Sequence, residues 1–174
     1  MRDYTPRRFD LSIGELDIDF VLHGDGPAST WAEQVQVGQH LYIGGPRGSM
    51  IVPDIFDSYL LIGDETAIPA IARRLEELPA GRKVLTVIEI ANSAEQQPLN
   101  SAADVEVIWV VRGHDDLLET VRNLTLPGGS LYSFVATETK LSRQLRRVLL
   151  DTHQVNEEFL KAVGYWRAEG SEEE

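Results

Sequence analysis

Hydrophobic and polar positions change rhythm near Pro53. Before it, Leu16-Asp17-Ile18-Asp19-Phe20-Val21-Leu22 largely alternates apolar and acidic residues, the period of a half-buried antiparallel strand. A second short strand is predicted over His40-Leu41-Tyr42-Ile43, after a turn at Val37-Gly38-Gln39. Between them, Gly24-Asp25-Gly26-Pro27-Ala28-Ser29-Thr30-Trp31-Ala32 reads as a loop entering one or two helical turns, with Ser29 as the N-cap.

After Pro53, continuous apolar runs alternate with amphipathic ones. Strands are predicted over 59–63, 84–90, 105–111 and 131–136, and helices over 68–78, 115–124 and 140–150. Pro69 falls in the first turn of its helix, where the missing N–H costs nothing. Residues 92–104 are polar and, with Gln96-Gln97-Pro98 at their centre, form a loop rather than a crossover helix. Buried strands alternating with helices imply a doubly wound parallel sheet covered on both faces. The fold class is α/β.

Composition narrows the functions available. With 43 % apolar residues in 174, the chain can bury a core. A net charge of −12 argues against nucleic acid and against an anionic membrane surface. Part of that charge is local: without Glu169, Glu172, Glu173 and Glu174 of the acidic tail it falls to −8. No cysteine is present, which excludes disulfides, thiolate metal sites and cysteine nucleophiles. The four histidines have no metal-ligand spacing, and no Ser-His-Asp or paired-carboxylate arrangement can be defended. Any redox chemistry must therefore be carried by a bound cofactor. No apolar run reaches membrane-spanning length and the N-terminus is no signal peptide, so a cytoplasmic protein is expected.

Four segments carry candidate chemistry, each with a plain alternative. In an extended Arg2-Asp3-Tyr4-Thr5-Pro6-Arg7, Arg2 and Tyr4 share a face, suited to a phosphate and a planar ring; the string also fits an edge strand before a proline. Gly26-Pro27-Ala28-Ser29 opens a helix whose backbone N–H groups can meet an anion, or is a capped turn. Gly44-Gly45-Pro46-Arg47-Gly48-Ser49 offers an arginine on a tight turn, or is an ordinary hairpin. Leu61-Ile62-Gly63-Asp64-Glu65-Thr66-Ala67-Ile68-Pro69-Ala70 passes from strand to helix where doubly wound folds bind nucleotides, or is plain strand–helix packing. It lacks G-x-G-x-x-G, and Asp64 and Glu65 would repel phosphate at the turn itself.

Taken in order, these runs, with His23-Gly24-Asp25 and the late Gly164-Tyr165-Trp166-Arg167, resemble the siderophore-interacting proteins, a branch of the ferredoxin-reductase-like flavoproteins. The resemblance covers nearly the whole chain. It implies an antiparallel barrel that holds FAD, followed by an α/β domain that receives NAD(P)H or closes over the substrate site. Electrons would pass from NAD(P)H or reduced ferredoxin through the flavin to a ferric siderophore, and iron would leave in its ferrous form. Carried over by resemblance, Arg2 pairs with the FAD pyrophosphate, Tyr4 stacks on the isoalloxazine, and Thr5 bonds near flavin N5. His23, Gly26, Ala28 and Ser29 belong to the same cofactor site, while Asp64, Glu65 and Thr66 lie on the nicotinamide side. Arg47 and Arg167 would attract the anionic iron chelate. No protein side chain is assigned as a catalytic acid or base, and no resident metal is implied.

The resemblance also sets expectations for organisation. Residues 1–53 would be the C-terminal part of the flavin barrel, 54–168 the NAD(P)-binding-like domain, and 169–174 a disordered tail. Because the R-x-Y-T motif begins at residue 2, only about half a barrel is expected. Three explanations stay open for its unpaired edges: a truncated sequence, a natural split protein, or a barrel completed by another chain, including by self-association. The passage Ala136-Thr137-Glu138-Thr139 departs from the Ala-Gly-Glu common in the family. Two further readings stand beside the reductase: a flavin-free ligand- or partner-binding remnant, and a general flavin reductase.

Overall fold

The computed structural model describes residues 3–22, 26–45 and 51–168. Elements run in the order β1 (Pro6–Asp10), β2 (Glu15–Ile18), α1 (Pro27–Gln34), β3 (Ser58–Gly63), α2 (Ile68–Glu77), β4 (Lys83–Ile90), β5 (Asp104–Val111), α3 (Leu117–Arg122), β6 (Leu131–Glu138), α4 (Thr139–Asp151) and β7 (Leu160–Trp166). Short 3-10 turns at Glu65–Ala67, Ser93–Glu95 and Glu157–Phe159 complete the connections.

Strands β3 to β7 form a five-stranded sheet in the order β5-β4-β3-β6-β7, with every neighbouring pair parallel. All six residues of β3 are buried, because strands flank it and helices cover both its faces. The period-two geometry of the strand divides its side chains. Tyr59 and Leu61 pack with Ile68, Ile71 and Leu75 of α2, whereas Leu60 and Ile62 pack with Val121 of α3 and Leu145 and Leu149 of α4. On the β5 edge only Val110 is buried, and the other residues are partly or fully exposed. Residues 92–103 join β4 to β5 without an α-helix, as their polarity implies, and Ser101 donates its hydroxyl to the Leu75 carbonyl at the end of α2.

Two glycines fix how closely helices meet the sheet. A Cβ on Gly63 would lie 2.5 Å from Ala67 Cβ and 3.0 Å from Ile71 Cδ1, so a side chain there would push α2 off the end of β3. A Cβ on Gly164 would lie 2.8 Å from Thr139 Cα, at the start of α4. That close approach lets the Thr139 hydroxyl donate to the Trp166 carbonyl at 2.9 Å and seats the end of β7.

The region before Pro53 differs from expectation. Antiparallel pairing is present, but it joins β1 to β2 as a two-stranded sheet, and no barrel is formed among the described residues. The strand predicted over 16–22 stops at Ile18. The strand predicted at 40–43 is absent: those residues have no regular structure, and Leu41, Tyr42 and Ile43 are exposed. A short alternating run adopts strand pairing only where another strand offers its edge, and none does so among the described residues. The turn before it is correct, with Gly38 at positive φ. In α1 the N-cap is Gly26 rather than Ser29; Pro27 fixes the first helical turn, so Ser29 lies inside the helix and is buried.

The α/β region follows the sequence pattern closely, with three adjustments. α3 is shorter than predicted because Asp116 caps it, its carboxylate accepting from Glu119 N. β7 has no counterpart in the sequence-based assignment. The glycine-free passage at 136–139 needs no left-handed residue: β6 runs into α4 at Glu138, whose carboxylate accepts from Lys140 N and Leu141 N.

Candidate functional site

The strand order reverses between β3 and β6, and in open α/β sheets such a reversal opens a crevice at the carboxyl ends of the strands. Asp64 stands at this point, directly after β3. It is 2 % exposed, and both of its oxygens are engaged. Oδ1 accepts from Thr66 N at 2.9 Å and from the Thr66 hydroxyl at 2.5 Å; Oδ2 accepts from Trp166 Nε1 at 2.7 Å. Burial raises the pKa of Asp64 above its ordinary value. The hydrogen bonds from Thr66 and Trp166 oppose that rise without cancelling it.

The tie to Trp166 spans 102 positions of sequence and brings the end of β7 onto the β3 turn. It also brings Tyr165 beside Asp64. Burial raises the Tyr165 hydroxyl, a hydrogen bond with Thr5 opposes the shift, and the Asp64 charge adds to it. Tyr165 as a whole is 40 % exposed. Through the contact with Thr5 the N-terminal segment reaches the carboxyl edge of the sheet. A second attachment is made by β1: Arg7 forms a two-pronged pair with Glu76 of α2 at 2.7 and 3.1 Å, and Arg73 donates to the Pro6 carbonyl.

Beside Asp64, the carboxyl ends of β3, β4 and β5 carry an ionic triad. Arg112 grips Glu65 with two hydrogen bonds of 3.0 and 2.9 Å and Glu89 with two of 3.1 and 2.9 Å. Both carboxylates are largely sheltered, with side-chain exposures of 14 % and 15 %. On the other side of the turn, Glu138 keeps one buried carboxylate oxygen without a hydrogen-bond partner.

The N-terminal segment gathers an aromatic group. Tyr4 and Phe20 have ring centroids 4.7 Å apart, and Phe20 and Trp31 of α1 are 5.6 Å apart. Tyr4 remains 41 % exposed and can present part of its ring to a ligand. The amides at the start of α1 receive no side-chain cap from Gly26, which leaves that helix end suited to an anion.

Of the sequence-predicted residues, Asp64, Glu65 and Thr66 meet at the switch point, and Thr5 reaches it through Tyr165. Tyr4, Gly26, Ala28 and Ser29 belong to the neighbouring aromatic and helix-start region. Arg167 follows β7, one residue beyond Trp166. Arg2, His23 and Arg47 lie outside the described residues. Sequence reasoning missed Trp166, Tyr165, Arg112 and Glu89. The Gly-Tyr-Trp-Arg run contained a signal for the first two, since a tryptophan N–H beside a strand end needs an acceptor when covered. Nothing in the sequence links Arg112 to Glu65 and Glu89, which stand 47 and 23 positions away.

Comparison with known proteins agrees with this architecture. Residues 56–169 match the family model described as siderophore-interacting protein, and residues 1–50 match the siderophore-interacting FAD-binding domain. The ferric vibriobactin reductase ViuB of Vibrio cholerae is 31 % identical over 179 residues, covering 99 % of this chain and 66 % of its own length. An NADPH-dependent ferric-chelate reductase of Escherichia coli K12 is 31 % identical over 170 residues, with 96 % and 66 % covered. The chain thus spans slightly under two thirds of the length of these relatives. A siderophore utilization protein from T. fusca superposes with a TM-score of 0.89 at 38 % identity, covering 98 % of this chain and 67 % of that one. The family model alone accounts for well over half of the residues. This chain belongs to the siderophore-interacting protein family.

Proposed function

We propose that this chain serves a flavin-dependent ferric-siderophore reductase, passing electrons from NAD(P)H or reduced ferredoxin to a ferric chelate so that iron is released in the more weakly held ferrous state. The observation that supports this most directly is the Trp166–Asp64 hydrogen bond, which seats the end of β7 on the β3 turn and brings Tyr165 toward Thr5. It joins the segment carrying the R-x-Y-T run to the strand-end crevice, so a ring held by the first would face a donor held by the second.

The residues present suit FAD. The exposed ring of Tyr4 would take the isoalloxazine face, and the Thr5 hydroxyl would bond at its edge. Gly26, Ala28 and Ser29 at the start of α1 would take the pyrophosphate, with no side-chain cap competing at Gly26. Arg2 and His23 extend the same set in sequence. When bound, FAD supplies the electron chemistry that the protein's own side chains lack. The chain's residues supply position and charge: Asp64, held by Thr66 and Trp166, fixes the end of β7, and Arg167 beside it, with Arg47, would draw in the anionic chelate.

The absorption spectrum of purified, FAD-reconstituted protein tests the reading. We expect flavin bands that bleach on addition of a reductant and return with a ferric chelate, with ferrous iron captured by a chromogenic chelator. Protein that takes up no FAD would instead favour the flavin-free binding remnant. Flavin turnover without ferrous release would favour a general flavin reductase.

A further inference from the structure

Resting on that reading, the strand-end geometry also bears on which nicotinamide nucleotide is the donor. In a doubly wound sheet the adenosine ribose lies over the carboxyl end of the second strand. An acidic residue there bonds the 2′-hydroxyl, whereas a nearby arginine accommodates a 2′-phosphate. Here the second strand is β4, its penultimate residue is Glu89, and Arg112 follows the adjacent β5.

An arginine at this place suggests a phosphate clamp, but its bonding argues otherwise. All three guanidinium nitrogens of Arg112 are used, in four hydrogen bonds to the Glu65 and Glu89 carboxylates. To receive a phosphate, Arg112 must release at least one of these carboxylates, leaving a sheltered anion without its counter-charge beside the incoming one. The triad carries one positive and two negative groups, so its net sign is already that of the phosphate. Asp115, whose carboxylate accepts from Val111 N, adds another negative charge on the same side. The anion seat that a doubly wound fold offers after its first strand is closed as well, because the Asp64 carboxylate occupies the Thr66 amide. Lys140 and Arg167 follow β6 and β7, beyond the switch point from Glu89.

We propose that the Glu65–Arg112–Glu89 triad makes this chain selective for a nicotinamide nucleotide with a free 2′-hydroxyl, NADH, over its 2′-phosphorylated counterpart, with Glu89 as the specificity-determining residue. Glu89 accepts the ribose hydroxyl through its carboxylate while Arg112 holds that carboxylate in place. A 2′-phosphate meets the same carboxylate as a like charge.

Calorimetric titration of the protein with NAD⁺ and NADP⁺ at low salt tests this without relying on turnover. NAD⁺ is expected to bind at least about tenfold more tightly, a ratio that narrows as added salt screens the like charges. Glu89→Ser, which frees two donors of Arg112, is expected to shift the ratio toward NADP⁺ by about tenfold or more. Should circular dichroism show that variant unfolded, Glu89→Gln replaces it; its neutral amide still accepts from Arg112, and a shift of about threefold or more in the same direction is expected. Equal or tighter NADP⁺ binding by the unaltered protein, an unchanged ratio in the folded variant, or no binding of either nucleotide would each overturn the proposal. The reductase reading fails on a separate observation, namely FAD-loaded protein, reduced by dithionite, that does not release ferrous iron from a ferric chelate.

Discussion

Residues 3–45 and residues 56–166 use similar side chains to opposite effect. In the first region Phe9, Leu11 and Tyr42 are 57 %, 82 % and 98 % exposed, and Ser29 is the one buried residue among those described there. In the second, Leu60, Ile62, Leu145 and Leu149 are fully buried. The difference lies in how much surface each architecture can pair. A parallel sheet sandwiched between α2 on one face and α3 with α4 on the other gives the apolar residues of β3, β4 and β6 partners in one core or the other. A two-stranded antiparallel ribbon with one short helix has no opposing layer among the described residues, and an isolated hairpin is marginally stable at best. What holds the first region in place is polar: the Arg7–Glu76 pair, the Arg73 bond to Pro6, and the Thr5–Tyr165 contact.

The contrast is tested most severely by truncating one leucine in each region. Leu145→Ala removes a fully buried side chain from the α4 face of the sheet and is expected to cost about 2–5 kcal/mol. Leu11→Ala, at the tip of the β1–β2 turn, should change stability by less than about 0.5 kcal/mol. Urea unfolding of both variants checks this; a comparable loss in each would mean that the N-terminal region has a core of its own.

A second test concerns the residue at which the regions meet. Burial lifts the folded-state pKa of Asp64 above 3.8, so the folded chain keeps this proton to higher pH than the unfolded chain does. The associated stability is present below 3.8 and is lost as pH rises through the folded value. Asp64→Asn has no proton to lose, so its stability should gain on that of the unaltered protein across this window. A constant difference would show that Asp64 titrates normally. Asp54, held low by Arg82, and Glu76, held low by Arg7, work in the other direction, with contributions lost as pH falls.

The smallest effect is expected from Glu76→Ala. The pair with Arg7 is partly exposed, and such pairs contribute about 0–1 kcal/mol to global stability. Its loss should nevertheless loosen β1 from α2, and limited proteolysis should cut residues 3–22 faster while leaving the α/β core intact. An unchanged cleavage rate would assign the anchoring to Thr5 and Tyr165.

Much of the second region was legible in the sequence. Four strands and three helices follow from mainly apolar runs and from helical spacing, because burial on both faces of the central strands leaves them few polar positions. β7 escaped because its residues are only partly buried or exposed, as expected of an edge strand. In the first region the same reading assigned strands too freely. Alternation at 40–43 is a property of four side chains, whereas strand formation needs a neighbour's hydrogen bonds. Within the site, Asp64, Glu65 and Thr66 could be found because a strand passing into a helix through Gly63 is a local signal. Arg112 and Glu89 could not, since each is an unremarkable charged residue until β4 and β5 lie in register beside β3.

The sequence by itself determined the alternation of buried strands and helices, the lack of any cysteine for thiol chemistry, and the passage from strand to helix through Gly63. These are local or compositional properties. Tertiary structure alone decided that Trp166 locks Asp64, that Tyr165 meets Thr5, and that Arg112 is bound by two carboxylates instead of standing ready for a phosphate. Charge and hydrogen-bond capacity are written in the chain, but whether they are already spent depends on which strands lie side by side.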